Sequence, residues 1–191
     1  MHVIPYSPRH EPDLWDPDPE EQNHRFALGR VAGASPQNPP FIAICMNPSF
    51  ADRTQSDKTV NRLVRASTDN NHTAWMMLNL YPERATNASN LSSYDPKLSE
   101  TNCAVIEHQL RKYSATEVLG AWGDLKHPTL RQAKVDVLDT LNQLGVRVFT
   151  FDELTARGNP RHPMQRRREL QMMGTKRYLV RSGNRLMERA P

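Results

Sequence analysis

Four short apolar runs divide the chain, and each ends abruptly in polar or turn-forming residues. Residues 41–46 stop at Asn47-Pro48-Ser49, and Trp75-Met76-Met77-Leu78 stops at Asn79-Leu80-Tyr81-Pro82. Residues 117–121 stop at Trp122-Gly123-Asp124, and residues 146–150 lead to Gly158-Asn159-Pro160-Arg161-His162-Pro163. Apolar runs of this length read as strands buried on both faces, the habit of parallel sheets. The segments between them carry a helical period instead. Val60, Leu63 and Val64 follow Ser56 and Asp57, which suit a helix start. Cys103, Ile106, Leu110 and Tyr113 form a second stripe after Ser99. Leu130, Ala133, Val137, Leu138, Leu141 and Leu144 form a third, stopped by Gly145. A further strand is expected within residues 24–31. Alternating strands and helices predict an α/β fold: a three-layer α/β/α sandwich with a mainly parallel central sheet. Ligands of such sheets sit at the carboxyl ends of the strands, where all four polar endings would meet.

The flanks read differently. Residues 1–23 hold Pro5, Pro8, Pro12, Pro17 and Pro19, and proline withdraws backbone donors. An extended arm is expected, laid across the body by Tyr6, Leu14 and Trp15. Residues 24–191 are expected to form a single α/β domain with a basic C-terminal segment, in keeping with a length of 191 residues. Periodicity weakens after Asp152. A helix is expected over residues 166–173, with a fraying tail beyond it.

Composition narrows the function classes. Only 37% of residues are apolar, enough for one core, and the net charge is +4. The positive excess is concentrated in residues 157–189. It points either to a polyanionic partner, nucleic acid or a nucleotide, or to a solvated basic face. Cys45 and Cys103 sit in apolar surroundings and read as small buried hydrophobes. No disulfide framework and no ligand set for zinc or an iron–sulfur cluster is visible, so neither a metal nor a cofactor is expected. No apolar stretch approaches a membrane span and no signal peptide is visible, so a cytoplasmic protein without membrane contact is expected. The sequence sets no oligomeric state.

The strand endings supply candidate chemistry. Asn47 carries an amide, which takes no proton near neutral pH; it orders a water or holds a loop. A general base would have to be Asp52 or Asp57, and Asp57 also suits the first turn of a helix for electrostatic reasons alone. Asn79 offers both a donor and an acceptor, so it reads a pyrimidine-like edge or ties down its loop. His162 donates to a carbonyl oxygen gaining charge, or fixes a proline-flanked turn. Ser49 cradles an anion or forms a simple turn. Trp122 stacks on a base or fills the core. Arg161, with Arg166, Arg167, Arg168, Lys176 and Arg177, contacts phosphates or stays solvated.

Asn47-Pro48-Ser49 with Ala51-Asp52 and Asp57, then Asn79-Leu80, Ala121-Trp122-Gly123 and Arg161-His162-Pro163, resemble the bacterial family known as domain of unknown function 1643, over about residues 24–165. Asn47-Pro48, Asn79, Trp122-Gly123 and His162-Pro163 are also similar, more distantly, to the strand-end motifs of the uracil-DNA glycosylase superfamily. That second resemblance implies a glycosylase-like fold and three roles. Asn47 would position water, Asn79 would read the base, and His162 would stabilise the leaving base. Cys45 stands where that superfamily carries Gly. The function implied is recognition of a nucleobase or nucleotide in a glycosylase-like pocket, with hydrolysis of an N-glycosidic bond in DNA or a nucleotide. The alternative is a non-catalytic module that binds a nucleotide or modified base. A third reading is an unrelated hydrolase on the same scaffold.

Overall fold

The elements of the protein run in the order β1 (Leu14–Asp16), β2 (Ala27–Arg30), β3 (Phe41–Cys45), α1 (Lys58–Asp69), β4 (Trp75–Asn79), α2 (Pro96–Lys112), β5 (Glu117–Gly120), α3 (Pro128–Gln143), β6 (Arg147–Thr150), β7 (Arg177–Ser182) and β8 (Arg185–Glu188). The computed structural model describes residues 4–18, 22–164, 170–183 and 185–189. Local chemistry sets the helix ends. The Asp57 carboxylate accepts from Val60 N at 2.8 Å and caps α1. Asp95 caps α2, whose first residue is Pro96, and Pro128 opens α3. Gly145, at φ +68°, lets the chain turn away after α3.

Among the described residues the strands form one eight-stranded sheet in the order β1-β2-β4-β3-β5-β6-β7-β8. The pairs β3–β4, β3–β5 and β5–β6 are parallel. The pairs β1–β2, β2–β4, β6–β7 and β7–β8 are antiparallel. The sheet is therefore mixed and mostly antiparallel by pairing, which overturns the expected mainly parallel, glycosylase-like three-layer sandwich; the α/β class itself stands. The physical reason lies in the outer strands. They are half exposed and carry charged residues, so they lack the apolar runs that mark the inner ones.

Strand alternation sorts the core into two faces. Phe41, Ala43, Cys45, Trp75 and Met77 pack with Val60, Leu63 and Val64 of α1. Ile42, Ile44, Met76, Leu78 and Val118 pack with Ile106 and Leu110 of α2 and Leu130, Val137 and Leu141 of α3. From β3 the chain steps through α1 to β4 on one side, while β5 lies on the other side of β3. The sheet thus has a switch point beside the carboxyl end of β3, where a crevice forms.

The flanks also differ from expectation. The N-terminal arm does lie on the body, and part of it is strand β1. Tyr6 stacks on Trp75 with ring centroids 6.3 Å apart, and the Arg53 guanidinium covers the Trp15 ring at 3.4 Å. Half of the helix expected over residues 166–173 falls outside the described residues, and its described half, 170–173, is not helical. In the tail expected to fray, the described residues form an antiparallel pair, β7 and β8, with Gly183 at φ +59°.

Candidate functional site

A cavity of about 520 Å³ opens at the carboxyl end of β3, on the α1 side of the sheet. Asn47 and Ser49 come from the loop after β3, Asp57 from the start of α1, and His162 from the loop after β6. Arg25, Cys45 and Met77 supply further wall residues from the neighbouring strands and their approaches. Four candidates named from the sequence thus share one cavity, although residues 47 and 162 are distant in the chain.

Each is held by identifiable bonds. The Asn47 side-chain NH₂ donates to the carbonyls of Pro48 (3.0 Å) and Ala85 (2.8 Å), tying the loop after β3 to the loop after β4. Its Oδ1 has no partner among the described residues. The Ser49 hydroxyl donates to Thr86 Oγ1 at 3.5 Å, a long contact. Asp57 uses Oδ1 to cap α1, which leaves Oδ2 uncommitted. His162 accepts from Met164 N through Nδ1 at 3.1 Å. That bond requires the lone pair on Nδ1, so the ring proton of the neutral imidazole sits on Nε2. Burial pushes the His162 pKa below the usual histidine value, and Asp57 offsets this only in part. At neutral pH His162 is a neutral donor through Nε2.

The loop that presents His162 is clamped from β5. The Asp124 Oδ1 accepts from Thr155 Oγ1 (2.6 Å) and Asn159 Nδ2 (3.1 Å), and Gly123 N donates to Pro160 O at 2.9 Å. Gly123 holds φ +71°, and a Cβ there would reach 2.9 Å from the Cβ of His162. The Trp122-Gly123 signal therefore positions the histidine instead of offering a ring to a ligand. Trp122 itself is fully buried in the cluster on the α2 and α3 side and is not a wall of the cavity.

Other candidates also lie outside the lining. Asp52 Oδ1 accepts from Thr54 N (2.7 Å), Thr54 Oγ1 (3.0 Å) and Gln55 N (2.8 Å), the geometry of a turn-forming aspartate. Burial works against its ionisation, but those donors and Arg84 hold its pKa below the ordinary carboxylate value. Arg161 Nε donates to Glu153 O at 3.0 Å. Asn79 is fully buried, in register with Cys45, and therefore on the same sheet face as that wall residue. Neither its Oδ1 nor its Nδ2 has a partner among the described residues. Of the basic C-terminal segment, Arg166, Arg167 and Arg168 fall outside the described residues. Lys176 pairs with Glu117, Arg177 with Glu188 and Arg181 with Asp139, so these cations are neutralised outside the cavity lining.

Two residues that carry the site were not signalled by the sequence. Arg25 is only 2% exposed yet lines the cavity. It donates through Nη1 to Ala51 O at 2.5 Å and through Nη2 to Met77 Sδ at 3.6 Å. Burial, reinforced by nearby Arg84, lowers its pKa to about 10 against the pull of Asp57, so it keeps its charge. A buried arginine is rare enough to point to a site, but one basic residue before a weak strand gives no sign of burial. Asn102 of α2 is the second. Its Nδ2 donates to the carbonyls of Asn79 (3.0 Å) and Leu80 (3.1 Å) and so fixes the end of β4. Cys45 also lines the cavity, but burial and then Asp57 push its thiol up to about 12, so it is no nucleophile at neutral pH.

Among the described residues no group of three His, Cys, Asp or Glu could hold a metal ion, and no helix is long and apolar enough to cross a membrane. No curated protein matches the chain, and no solved structure matches it. A family model described as a protein of unknown function, DUF1643, matches residues 25–164. That span takes in Arg25, Asn47, Asp57 and His162 together with all three helices, and the chain belongs to the DUF1643 family.

Proposed function

We propose that the cavity recognises a nucleobase-bearing ligand, either a nucleotide or a base within nucleic acid, and hydrolyses its N-glycosidic bond. One observation carries this reading: an uncommitted carboxylate oxygen of Asp57 and the Nε2–H of a neutral His162 share one cavity with the free Oδ1 of Asn47. Breaking the bond builds positive charge on the sugar and negative charge on the base, so a base for water and a donor for the leaving group are the parts required. Asn47 Oδ1 accepts from the attacking water and Asp57 takes its proton. The water oxygen bonds to the anomeric carbon, and the electron pair of the carbon–nitrogen bond leaves with the base. His162 donates to the base as that charge develops. The order of the strand-end motifs, which resembles that of uracil-DNA glycosylases, supports the same assignment. Asn79, an unsatisfied amide on the same sheet face, supports recognition of a base edge once a ligand opens the path to it.

A second reading, binding without turnover, is favoured by Asn47. It is an amide at the strand end, and its NH₂ group is spent on holding two loops together. The deciding experiment is a screen of the full chain for bases released from oligonucleotides carrying different modified bases and from free nucleotides, with binding measured on the same panel. Release that is lost in Asp57→Asn and strongly slowed in His162→Ala is the expected result. Binding without release by the wild type would leave the second reading, and neither binding nor release would end both.

A further inference from the structure

The cavity wall has a charge without a contact partner. Arg25 carries five N–H donors. Two are engaged, one by the Ala51 carbonyl at 2.5 Å and one only weakly by the Met77 sulfur at 3.6 Å, while Nε is buried with no partner. No carboxylate among the described residues neutralises it by contact. Arg84 donates to the same Ala51 carbonyl at 3.2 Å and to Phe50 O at 3.3 Å, which brings a second guanidinium beside the first. Burying a charge without a contacting counter-ion is costly, and proteins retain such groups where a ligand supplies the missing charge.

A second, independent feature faces the same space. Lys58 and Thr59, the first two residues of α1, line the cavity. Asp57 caps Val60 N, which leaves the backbone N–H groups of Lys58 and Thr59 without partners among the described residues. Unsatisfied first-turn amides and the positive helix end favour an anion. The lining holds two cations, Arg25 and Lys58, against the single carboxylate of Asp57, with His162 neutral.

We infer that the cavity holds a phosphate subsite, in which Arg25 and the amino end of α1 bind the phosphate of a nucleotide. The identity of the rest of the ligand rests on the nucleobase reading above; the anion subsite does not. A phosphate here lies beside Asp57, so the charge is best matched by a group carried on a ligand that is anchored elsewhere in the cavity.

The test is calorimetric titration of the full chain with the four deoxynucleosides, their 5′-monophosphates and inorganic phosphate. At least one monophosphate should bind tenfold or more tightly than its nucleoside, and the preference should shrink as salt rises. Arg25→Gln and Lys58→Gln should each reduce that preference, with Arg25→Lys retaining part of it. Lys58 is exposed, so its variant serves if the Arg25 variants do not fold. Equal binding of nucleosides and monophosphates, or an undiminished preference in Lys58→Gln and a folded Arg25→Gln, would overturn the subsite. So would an absence of binding by every probe. Inorganic phosphate binding that depends on Arg25 or Lys58, with no nucleoside or nucleotide binding, would uphold the subsite while removing the nucleobase reading.

Discussion

Gly123 and His162 are packed so closely that any side chain on the glycine would collide with the histidine, its Cβ lying 2.9 Å from that of His162. The glycine also sits at φ +71°, where an L side chain is strained by about 1–2 kcal/mol. Gly123→Ala should therefore lower stability by roughly that amount or somewhat more and displace the imidazole. Denaturant unfolding reads the first effect. Base release or ligand affinity reads the second, and an unchanged value in both would separate Gly123 from the site.

His162→Ala should slow base release by on the order of 10²–10³ while leaving ligand affinity nearly unchanged, because the charge it stabilises develops late. Its protonation gives a second readout. The folded pKa lies below the unfolded value of about 6.5. Below that value the unfolded chain binds a proton the fold resists, so stability falls with pH until the folded group titrates. The wild type should lose stability below pH ~6.5 more steeply than His162→Gln, measured as denaturation midpoints across pH.

The two aspartates should behave differently. Asp57→Asn keeps a competent cap on α1, so stability should shift by only a few tenths of a kcal/mol while turnover is lost. Asp52→Asn weakens the turn at Thr54 and Gln55 and should cost about 1 kcal/mol with turnover retained in the folded protein. Steady-state rates alongside thermal unfolding distinguish them, and the reverse pattern would move the base to Asp52.

Asn79 has two buried polar atoms without partners. An isosteric apolar residue removes that penalty, so Asn79→Leu should be neutral or should stabilise by about 1–3 kcal/mol. The same change should abolish discrimination among bases. A Tm that rises while base preference disappears is the expected pair. A rise in Tm with unaltered preference would make Asn79 a purely structural residue.

Glu117, the first residue of the central strand β5, gathers a cluster of charges away from the cavity. It pairs with Lys176 and with Arg147 at 3.2 Å, and accepts from Tyr178 Oη at 2.7 Å. Burial opposes its ionisation, but the hydrogen bonds from Lys176 and Tyr178 and the charges of Lys176 and Arg147 hold its pKa below the usual value. Its contribution is present above the unfolded pKa and is lost as pH falls through the folded one. Glu117→Gln should cost about 1 kcal/mol at neutral pH and less in strong acid, as read from denaturation at both.

The inner strands were legible from their apolar runs, and α1, α2 and α3 from their helical stripes, with Asp57 marking the start of α1. The expected start of α2 at Ser99 falls one turn late, because Asp95 and Pro96 lie in a polar stretch. The outer strands were not. Residues 177–182 mix Tyr, Leu and Val with Arg and Ser because only part of β7 is covered. Gly183-Asn184, between two short apolar segments, is a hairpin signal that was available. In the cavity, Asn47, Ser49, Asp57 and His162 were legible as strand-end or helix-start residues. Arg25 was not, since its burial depends on β4 and the loop after β3 closing around it. Trp122 and Asp52 carried motif signals, but their side chains serve the core and a turn, a distinction that spacing cannot make.

The N-terminal arm has a practical consequence. Tyr6 Oη donates to Asp52 O at 2.7 Å, Ser56 N donates to Ile4 O at 2.8 Å, and Ile4 is itself a wall of the cavity. The arm therefore braces, from outside, the middle and the α1 end of the segment joining β3 to α1. A fragment trimmed to the family span, residues 25–164, would keep the chemistry-bearing side chains and lose their brace, along with the hairpin that closes the other edge of the sheet. An inactive fragment of that length would report on the missing brace, not on the residues of the cavity, and an affinity handle is better attached away from residue 4.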